Sequence, residues 1–185
     1  MLVPSRRIPY RTWPGALAVL AAICAYVGLL TAWDRHTPGS LELKPGRTVT
    51  LGHVRFVPAE TWRMDVSRSR YGQSLSLFKG RHQFEVNVER WDGGPAGPVA
   101  RTRRLMERGQ GLRIDGEMSS FLNTWGLEGK TFAYYGPQLA GRLWQAVDAR
   151  RQLLVKVDFQ GPNEGMGPAL DDARKMVDSM DFGAP

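Results

Sequence analysis

An uncharged run of 21 residues near the start of the chain, Trp13–Trp33, constrains the molecule more than any other feature. At about 1.5 Å per residue, a helix of this length spans the ~30 Å hydrocarbon layer of a membrane. Pro14 suits the first helical turn, because its missing N–H would have no partner there. Trp13 and Trp33 stand at the two ends, where indole rings favour the membrane interface. We therefore expect a retained single span.

Two alternatives to a retained span are a cleaved signal peptide and a lipid anchor at Cys24. A cleaved signal has a shorter apolar core followed by small residues, whereas Leu29, Leu30 and Trp33 crowd the end of this run. A lipid anchor needs a small residue before the cysteine, where this chain has Ile23. The sequence thus favours the span, with Cys24 as an ordinary membrane-buried side chain.

The charges that flank the run predict its orientation. Arg6, Arg7 and Arg11 precede it with no acidic residue among them, and an excess of arginine or lysine keeps that end of a span in the cytoplasm. The predicted organisation is a cytoplasmic tail (1–12), a transmembrane helix (13–33), a tether (34–46) and an extracytoplasmic domain (47–185).

The composition after the apolar run is that of one globular domain. The chain of 185 residues is 42% hydrophobic and 23% charged, and its single cysteine lies within the apolar run. The roughly 150 residues that follow are enough for one domain with its own core. The formal net charge of +7 is too dispersed for the concentrated basic face that binds nucleic acid. We therefore expect no nucleic-acid partner.

The hydrophobic periodicity predicts four strands, a helix, four strands and a closing helix. The clearest elements are Gln73–Phe78 and His82–Arg90, which alternate apolar and polar residues around a short turn and so predict a hairpin. One helix begins near Pro98 and the other covers about Pro168–Met180. The other predicted strands are 48–51, 53–57, 118–124, 130–135, 141–149 and 152–160. Strands that meander through short turns form antiparallel sheets, so we predict an α+β fold whose sheet is covered by two helices.

The end of the closing helix, Met176–Phe182, and the stretch Gly126–Lys130 leading into a strand resemble the PsbP-like α/β sandwich domains. The resemblance covers roughly residues 47–182. The whole chain resembles small bacterial single-pass membrane proteins that carry one such domain outside the membrane. What the resemblance implies is the fold, with a short strand after the closing helix, and a role as a binding or assembly module. It brings no catalytic residues.

The sequence carries no motif of enzymatic or metal chemistry. His36, His53 and His82 are far apart and lack neighbouring ligands at the spacing of a zinc site. There is no Gly-x-Ser-x-Gly elbow and no phosphate-binding loop of the GK[ST] type. We expect no catalytic, cofactor or metal site, and no enzyme activity.

A row of arginines on the first predicted helix has two interpretations. Arg101, Arg104 and Arg108 stand at i, i+3 and i+7 and therefore share one side. They could contact anionic lipid headgroups or other anionic envelope polymers. Alternatively, they form a solvated face whose charge is offset by nearby glutamates, among them Glu107.

The function that follows is a membrane-anchored extracytoplasmic binding or assembly module, non-catalytic, with lipid contact through one span and a protein partner in the cell envelope. The alternative is a carrier or sensor of a small apolar or anionic ligand. Pockets are often lined by aromatic side chains, and the chain has six tryptophans. The same residues also dominate ordinary cores, so the sequence leaves this alternative open.

Overall fold

The computed structural model describes residues 13–36, 39–94, 96–109 and 111–182. The chain divides into two compact units, residues 1–38 and 39–185. In the first unit, α1 (Trp13–His36) contains a segment, Trp13–Trp33, that is long and apolar enough to cross a membrane, with a mean hydropathy of 2.1. Trp13 and Trp33 are each 74% exposed on this helix and Cys24 is exposed as well. The predicted cytoplasmic tail, residues 1–12 with its arginines, lies outside the described residues.

The second unit contains two helices and two antiparallel sheets. The helices are α2 (Ala96–Gly109) and α3 (Met166–Asp178). The strands of the large sheet are β1 (Ser40–Glu42), β4 (Arg63–Asp65), β5 (Ser74–Lys79), β6 (His82–Arg90), β7 (Arg113–Leu122), β8 (Glu128–Tyr135), β9 (Ala140–Asp148) and β10 (Leu153–Gly161). They lie side by side in the order β1-β4-β5-β6-β10-β9-β8-β7. The small sheet has the order β11-β3-β2, from β11 (Asp181–Phe182), β3 (Val54–Phe56) and β2 (Val49–Leu51).

One face of the large sheet forms the main core with α3 and the small sheet. Phe159 on β10 and Met176 on α3 are both fully buried in this layer. Trp62 fills its centre, with its ring edge toward Phe84 at 6.2 Å and toward Phe159 at 6.4 Å between centroids. Aromatic rings of this size supply much of the burial energy of a core, so this layer is the stable base of the unit.

The opposite face of the large sheet is covered only in part, by α2. Phe132 on β8 and Leu143 on β9 are buried there together with Val99 and Met106 of α2. On the neighbouring strands the same face carries polar side chains such as Glu85 on β6. The sheet is therefore closed on one side and half open on the other.

A buried asparagine joins the β7–β8 connection to the end of α3. The Nδ2 of Asn123 donates to the carbonyl oxygens of Val177 at 3.1 Å and Met180 at 2.6 Å. Its Oδ1 accepts from the backbone N–H groups of Trp125 at 3.1 Å and Leu127 at 2.8 Å. One side chain thus satisfies backbone groups of two separate segments, which fixes the connection against the helix.

The α+β class, the large antiparallel sheet and the two helices packed on it agree with the sequence prediction. The β5–β6 hairpin is confirmed, and β11 follows α3 as the family resemblance implies. Two short strands were not predicted: β1 and β4, which pair with each other at the sheet edge. β1 lies inside the segment 34–46 that the sequence analysis assigned to a tether. β7 extends from Arg113 to Leu122, where the sequence predicted 118–124.

Candidate binding site beneath the second helix

The helix α2 sits on the sheet through a narrow apolar stripe. Val99 and Met106 are 5% exposed and pack with Phe132 and Leu143. Between them, Thr102 also faces the sheet and is 8% exposed. A helix that contacts a sheet through so few large side chains leaves space beside the contact, and the structure has a cavity there.

The cavity has a volume of ≈ 700 Å³ and lies between α2 and strands β7 to β9. That volume lies within the ~300–1,000 Å³ range of small-molecule sites. Its apolar walls are Val99 and Ala100 of α2, Met118 of β7 and Val147 of β9. Met118 belongs to an irregular part of β7, where the pairing with β8 shifts between Asp115 and Ser119. We call this space the α2 cleft.

A buried amide lies in the wall of the α2 cleft. Gln145 on β9 is 3% exposed, and its Nε2 donates to the hydroxyl oxygen of Thr102 at 2.8 Å. Its Oε1 has no hydrogen-bond partner among the residues that the structure describes. Turning the amide over would let Thr102 donate instead, but one amide atom would still lack a partner. A buried polar atom left in this state costs about 1–3 kcal/mol, so the position favours an occupant that can hydrogen-bond.

Charged side chains lie at the margin of the α2 cleft, and two of the cations donate to neighbouring side chains. Arg103 Nε donates to Glu107 Oε1 at 2.9 Å along α2. Lys130 Nζ donates to the hydroxyl of Ser120 at 2.8 Å. Glu128 is exposed at the margin. The rim therefore carries charges of both signs, whereas the wall that contains Gln145 is neutral.

The outer face of α2 carries the three arginines that the sequence analysis singled out. Arg101, Arg104 and Arg108 line a shallow groove of about 470 Å³ around Leu105, whose side chain is 61% exposed. Within the described residues none of the three forms a salt bridge, because Glu107 pairs with Arg103 instead. The structure thus brings these arginines together around an apolar residue and does not offset them with the predicted glutamate.

The open half of the same sheet face carries a second polar cluster. The Tyr134 hydroxyl donates to Asp158 Oδ1 at 2.5 Å. Burial raises the pKa of Asp158 above its ordinary value, and the charge of Glu85 adds to this shift against the opposing effects of Tyr134 and Lys156. Burial and the neighbouring Asp158 also raise the pKa of Tyr134 well above its ordinary value. The pair is a structural hydrogen bond in which the tyrosine stays protonated.

The histidines lie apart from both clusters. His53 is exposed in the turn between β2 and β3. His82 is buried with its ring stacked on Phe159 at 6.0 Å, and its Nε2 lies 3.2 Å from the carbonyl oxygen of Pro162. Over the described part of the chain, no group of three or more potential ligands is arranged to hold a metal ion.

Sequence reasoning missed the α2 cleft and Gln145. A signal was present, since Gln145 interrupts the otherwise apolar run from Leu143 to Val147. Alternation puts Leu143, Gln145 and Val147 on one face of β9, so an amide among apolar neighbours indicates a buried polar group. The partnership with Thr102, 43 residues earlier, could not be read from that pattern.

Comparison with protein-family models and with curated proteins finds no match to the sequence. Solved structures of similar fold do exist. The cyanobacterial PsbP protein CyanoP from Synechocystis sp. PCC 6803 is 12% identical, with a TM-score of 0.54 over 74% of this chain and 90% of that one. The Ran-binding protein Mog1p from Saccharomyces cerevisiae is 9% identical, with a TM-score of 0.52 over 74% of this chain and 94% of that one. At these identities the likeness concerns the fold, and the chain has an α+β fold similar to those of CyanoP and Mog1p.

Proposed function

We propose that the chain is a membrane-anchored, non-catalytic binding or assembly module. In this proposal α1 spans a bacterial membrane with the N-terminus in the cytoplasm, residues 34–46 connect it to the domain, and residues 47–185 lie outside. A protein of the cell envelope is its partner.

The observation that carries this proposal is the combination of an exposed apolar helix with a separate compact domain of a PsbP-like and Mog1-like fold. The yeast protein of similar fold is a Ran-binding protein, which favours protein binding as a use of the architecture. Fold alone does not determine function, so the proposed function has to be tested by the experiments below.

Crosslinking in native membranes followed by affinity purification tests the partner. We expect the tagged full-length chain to recover one envelope protein reproducibly. Recovery of lipid or metabolite without any specific protein would overturn the proposed partner. A reporter fused to the C-terminus tests the orientation, and reporter activity confined to the cytoplasm would contradict it.

We further propose that Arg101, Arg104 and Arg108 contact the anionic headgroups of the membrane surface. Cationic residues around an exposed apolar one, here Leu105, are typical of helices that lie on anionic bilayers, and each basic residue near the surface adds about 1 kcal/mol. The surrounding arginines lack carboxylate partners in the described residues, so their charge is available.

Hydrogen–deuterium exchange of α2 tests this contact with the full chain in nanodiscs. We expect slower exchange when phosphatidylglycerol is added to phosphatidylcholine, and a loss of that protection in 0.5 M salt, roughly the range in which screening lengths fall below 5 Å. Changing all three arginines to glutamine should abolish the protection. The matched control changes the exposed Arg70, Arg81 and Arg90 to glutamine, with the same loss of charge. Equal protection in both triple variants would refute the contact.

The second candidate function is that of a carrier or sensor of a small ligand. The specific observation in its favour is the α2 cleft of ≈ 700 Å³ with the unpartnered oxygen of Gln145 in its wall.

A further inference from the structure

The α2 cleft differs from the other recesses of the unit in having a buried hydrogen-bonding atom without a partner. Three buried side-chain atoms lack partners among the described residues: Thr131 Oγ1, Arg142 Nε and Gln145 Oε1. Of these residues, Gln145 lines the α2 cleft. The groove on the open half of the sheet, about 590 Å³, is lined by exposed and half-buried charged groups instead.

We propose that the α2 cleft binds a neutral small molecule with an apolar body and one amide or hydroxyl group. This inference deepens the second candidate function and rests on it. The apolar body packs between Val99 and Ala100 on the helix side and Met118 and Val147 on the sheet side. The amide or hydroxyl group hydrogen-bonds with Gln145, whose other amide atom stays bound to Thr102.

The neutral character of the ligand follows from the position of the charged side chains, which are exposed at the margin of the α2 cleft and not buried beside Gln145. Arg103, which is exposed, pairs with Glu107, and Lys130, also exposed, donates to the neutral hydroxyl of Ser120 while keeping its charge toward solvent. An anion next to Gln145 would therefore be buried against a neutral amide, which is unfavourable. A pure hydrocarbon would leave the Gln145 oxygen without a hydrogen-bond partner.

Access to the Gln145 oxygen requires only a local adjustment. Gln145 lines the α2 cleft, and its Oε1 has almost no exposure of its own. The last torsion of a glutamine side chain is broad, so rotation of the terminal amide can turn the oxygen toward the cleft.

The test uses benzamide and benzoate as probes, which share an aromatic body and differ in charge. The full chain in phosphatidylcholine nanodiscs carries ¹³C-methyl methionine, and titration follows the Met118 signal with that of Met166 on α3 as the internal reference. We expect benzamide to shift Met118 and to bind at least five-fold more tightly than benzoate. Benzoate binding as tightly as benzamide, or the absence of any Met118 shift with benzamide, would overturn the inference.

Variants then connect the binding to the amide. Gln145→Met keeps the length of the side chain and should weaken benzamide about five-fold, the factor expected for one net hydrogen bond. Gln138→Met, at an exposed position in the β8–β9 connection, is the matched control and should bind like the parent. Undiminished binding by Gln145→Met would refute the role of the amide.

A second variant, which fills part of the α2 cleft, keeps the inference testable if Gln145→Met disturbs the fold. Ala100→Leu keeps every hydrogen bond of the site and narrows the cleft, so it should reduce the Met118 shift at least ten-fold while the Met166 signal stays in place. Unchanged binding by this variant would place benzamide elsewhere and overturn the inference. These measurements use the purified chain alone, so failure here leaves the envelope partner untouched, and failure to recover that partner leaves the cleft untouched.

Discussion

The contact between the β7–β8 connection and α3 yields a stability prediction whose magnitude comes from four hydrogen bonds of one side chain. Asn123→Ala removes all four. The carbonyl of Val177 keeps a second bond, from the Met180 N–H at 3.1 Å. The N–H of Trp125 lies on an exposed residue that water can reach. The cost therefore arises at the other two groups.

Those two groups are the Leu127 N–H and the Met180 carbonyl, on residues that are 5% and 0% exposed. Losing a partner costs a buried backbone group about 1–3 kcal/mol. We therefore expect Asn123→Ala to lower the free energy of unfolding by about 3 kcal/mol. The assay is urea denaturation of the full chain in micelles, followed by tryptophan fluorescence. Asn163→Ala, in an exposed turn, is the matched control and should cost less than about 0.5 kcal/mol.

The substitution Asn123→Asp separates loss of donors from loss of volume. It keeps an acceptor for Leu127, but at neutral pH its carboxylate faces the Met180 carbonyl oxygen without a proton to donate. Burial among acceptors raises the folded-state pKa of such a group, so its stability is greatest below the unfolded pKa of about 3.9 and falls as pH rises above it. We expect Asn123→Asp to regain stability relative to Asn123→Ala between pH 7 and pH 4. A loss for Asn123→Ala no larger than that of Asn163→Ala would refute the reasoning.

Three further predictions use the same denaturation assay. Burial raises the pKa of Asp158, so the parent loses stability as pH rises above the ordinary pKa of an aspartate. The stability of Asp158→Asn relative to the parent should therefore rise from pH 4 to pH 7. A difference that does not change with pH would contradict this prediction. Burial opposes ionisation of Asp172, but hydrogen bonds from Lys79 at 2.8 Å and a tryptophan lower its pKa overall, so the stability they contribute is lost as pH falls through that lowered value. Because this ion pair is partly exposed, Lys79→Met should lower the free energy of unfolding by only about 0.5 kcal/mol at pH 7. The loss should be smaller at pH 3, and an equal loss at both pH values would contradict the contribution of the pair. A Cβ on Gly129 would overlap the backbone oxygen of Gln145, so Gly129→Ala should cost about 2–3 kcal/mol, whereas Gly94→Ala, with open space around it, should cost little.

The elements that the sequence predicted well are those with one face against the core. In β6, alternation puts Phe84 and Val86 in the core and Glu85 and Asn87 on the half-open face. A shift of one residue would reverse both faces, so a pattern of this kind determines the strand and its register together. The hairpin with β5 follows from the same pattern on both sides of one turn.

The strands that the sequence missed are too short to have a period. β1 and β4 have three residues each, and their pairing joins segments more than 20 residues apart. β7 was predicted to begin at Met118, whereas in the structure it begins at Arg113, and Gly116, at φ 73°, lies in the irregular part of this longer strand. Asn123 was predicted within that strand and instead ends it, because its side chain bonds to α3. Each difference arises from a contact with a distant segment.

The cleft shows the same limit at the level of the site. The apolar run around Gln145 indicates that both faces of β9 are covered, which is enough to predict a buried amide. The volume of the α2 cleft depends on how closely α2 approaches β8 and β9, and that distance is set by Val99 and Met106 against Phe132 and Leu143. Packing of this kind is a property of the folded chain, so the sequence could indicate the polar group but not the space beside it.

The charge on the outer face of α2 depends on which arginine pairs with Glu107, and helical spacing alone does not determine this. Glu107 stands four residues after Arg103 and three after Arg104, and both spacings permit an ion pair. In the structure Glu107 pairs with Arg103 at 2.9 Å, while Arg104 Nε donates to the Ala100 carbonyl at 3.3 Å. The same pair that engages a cation at the rim of the α2 cleft thereby leaves the outer arginines without an offsetting acid. Glu107→Gln should consequently slow the hydrogen–deuterium exchange of α2 further in anionic nanodiscs. It should also strengthen benzoate binding in the α2 cleft, because Arg103 would no longer be paired. Both effects of this one substitution test the assignment of the ion pair.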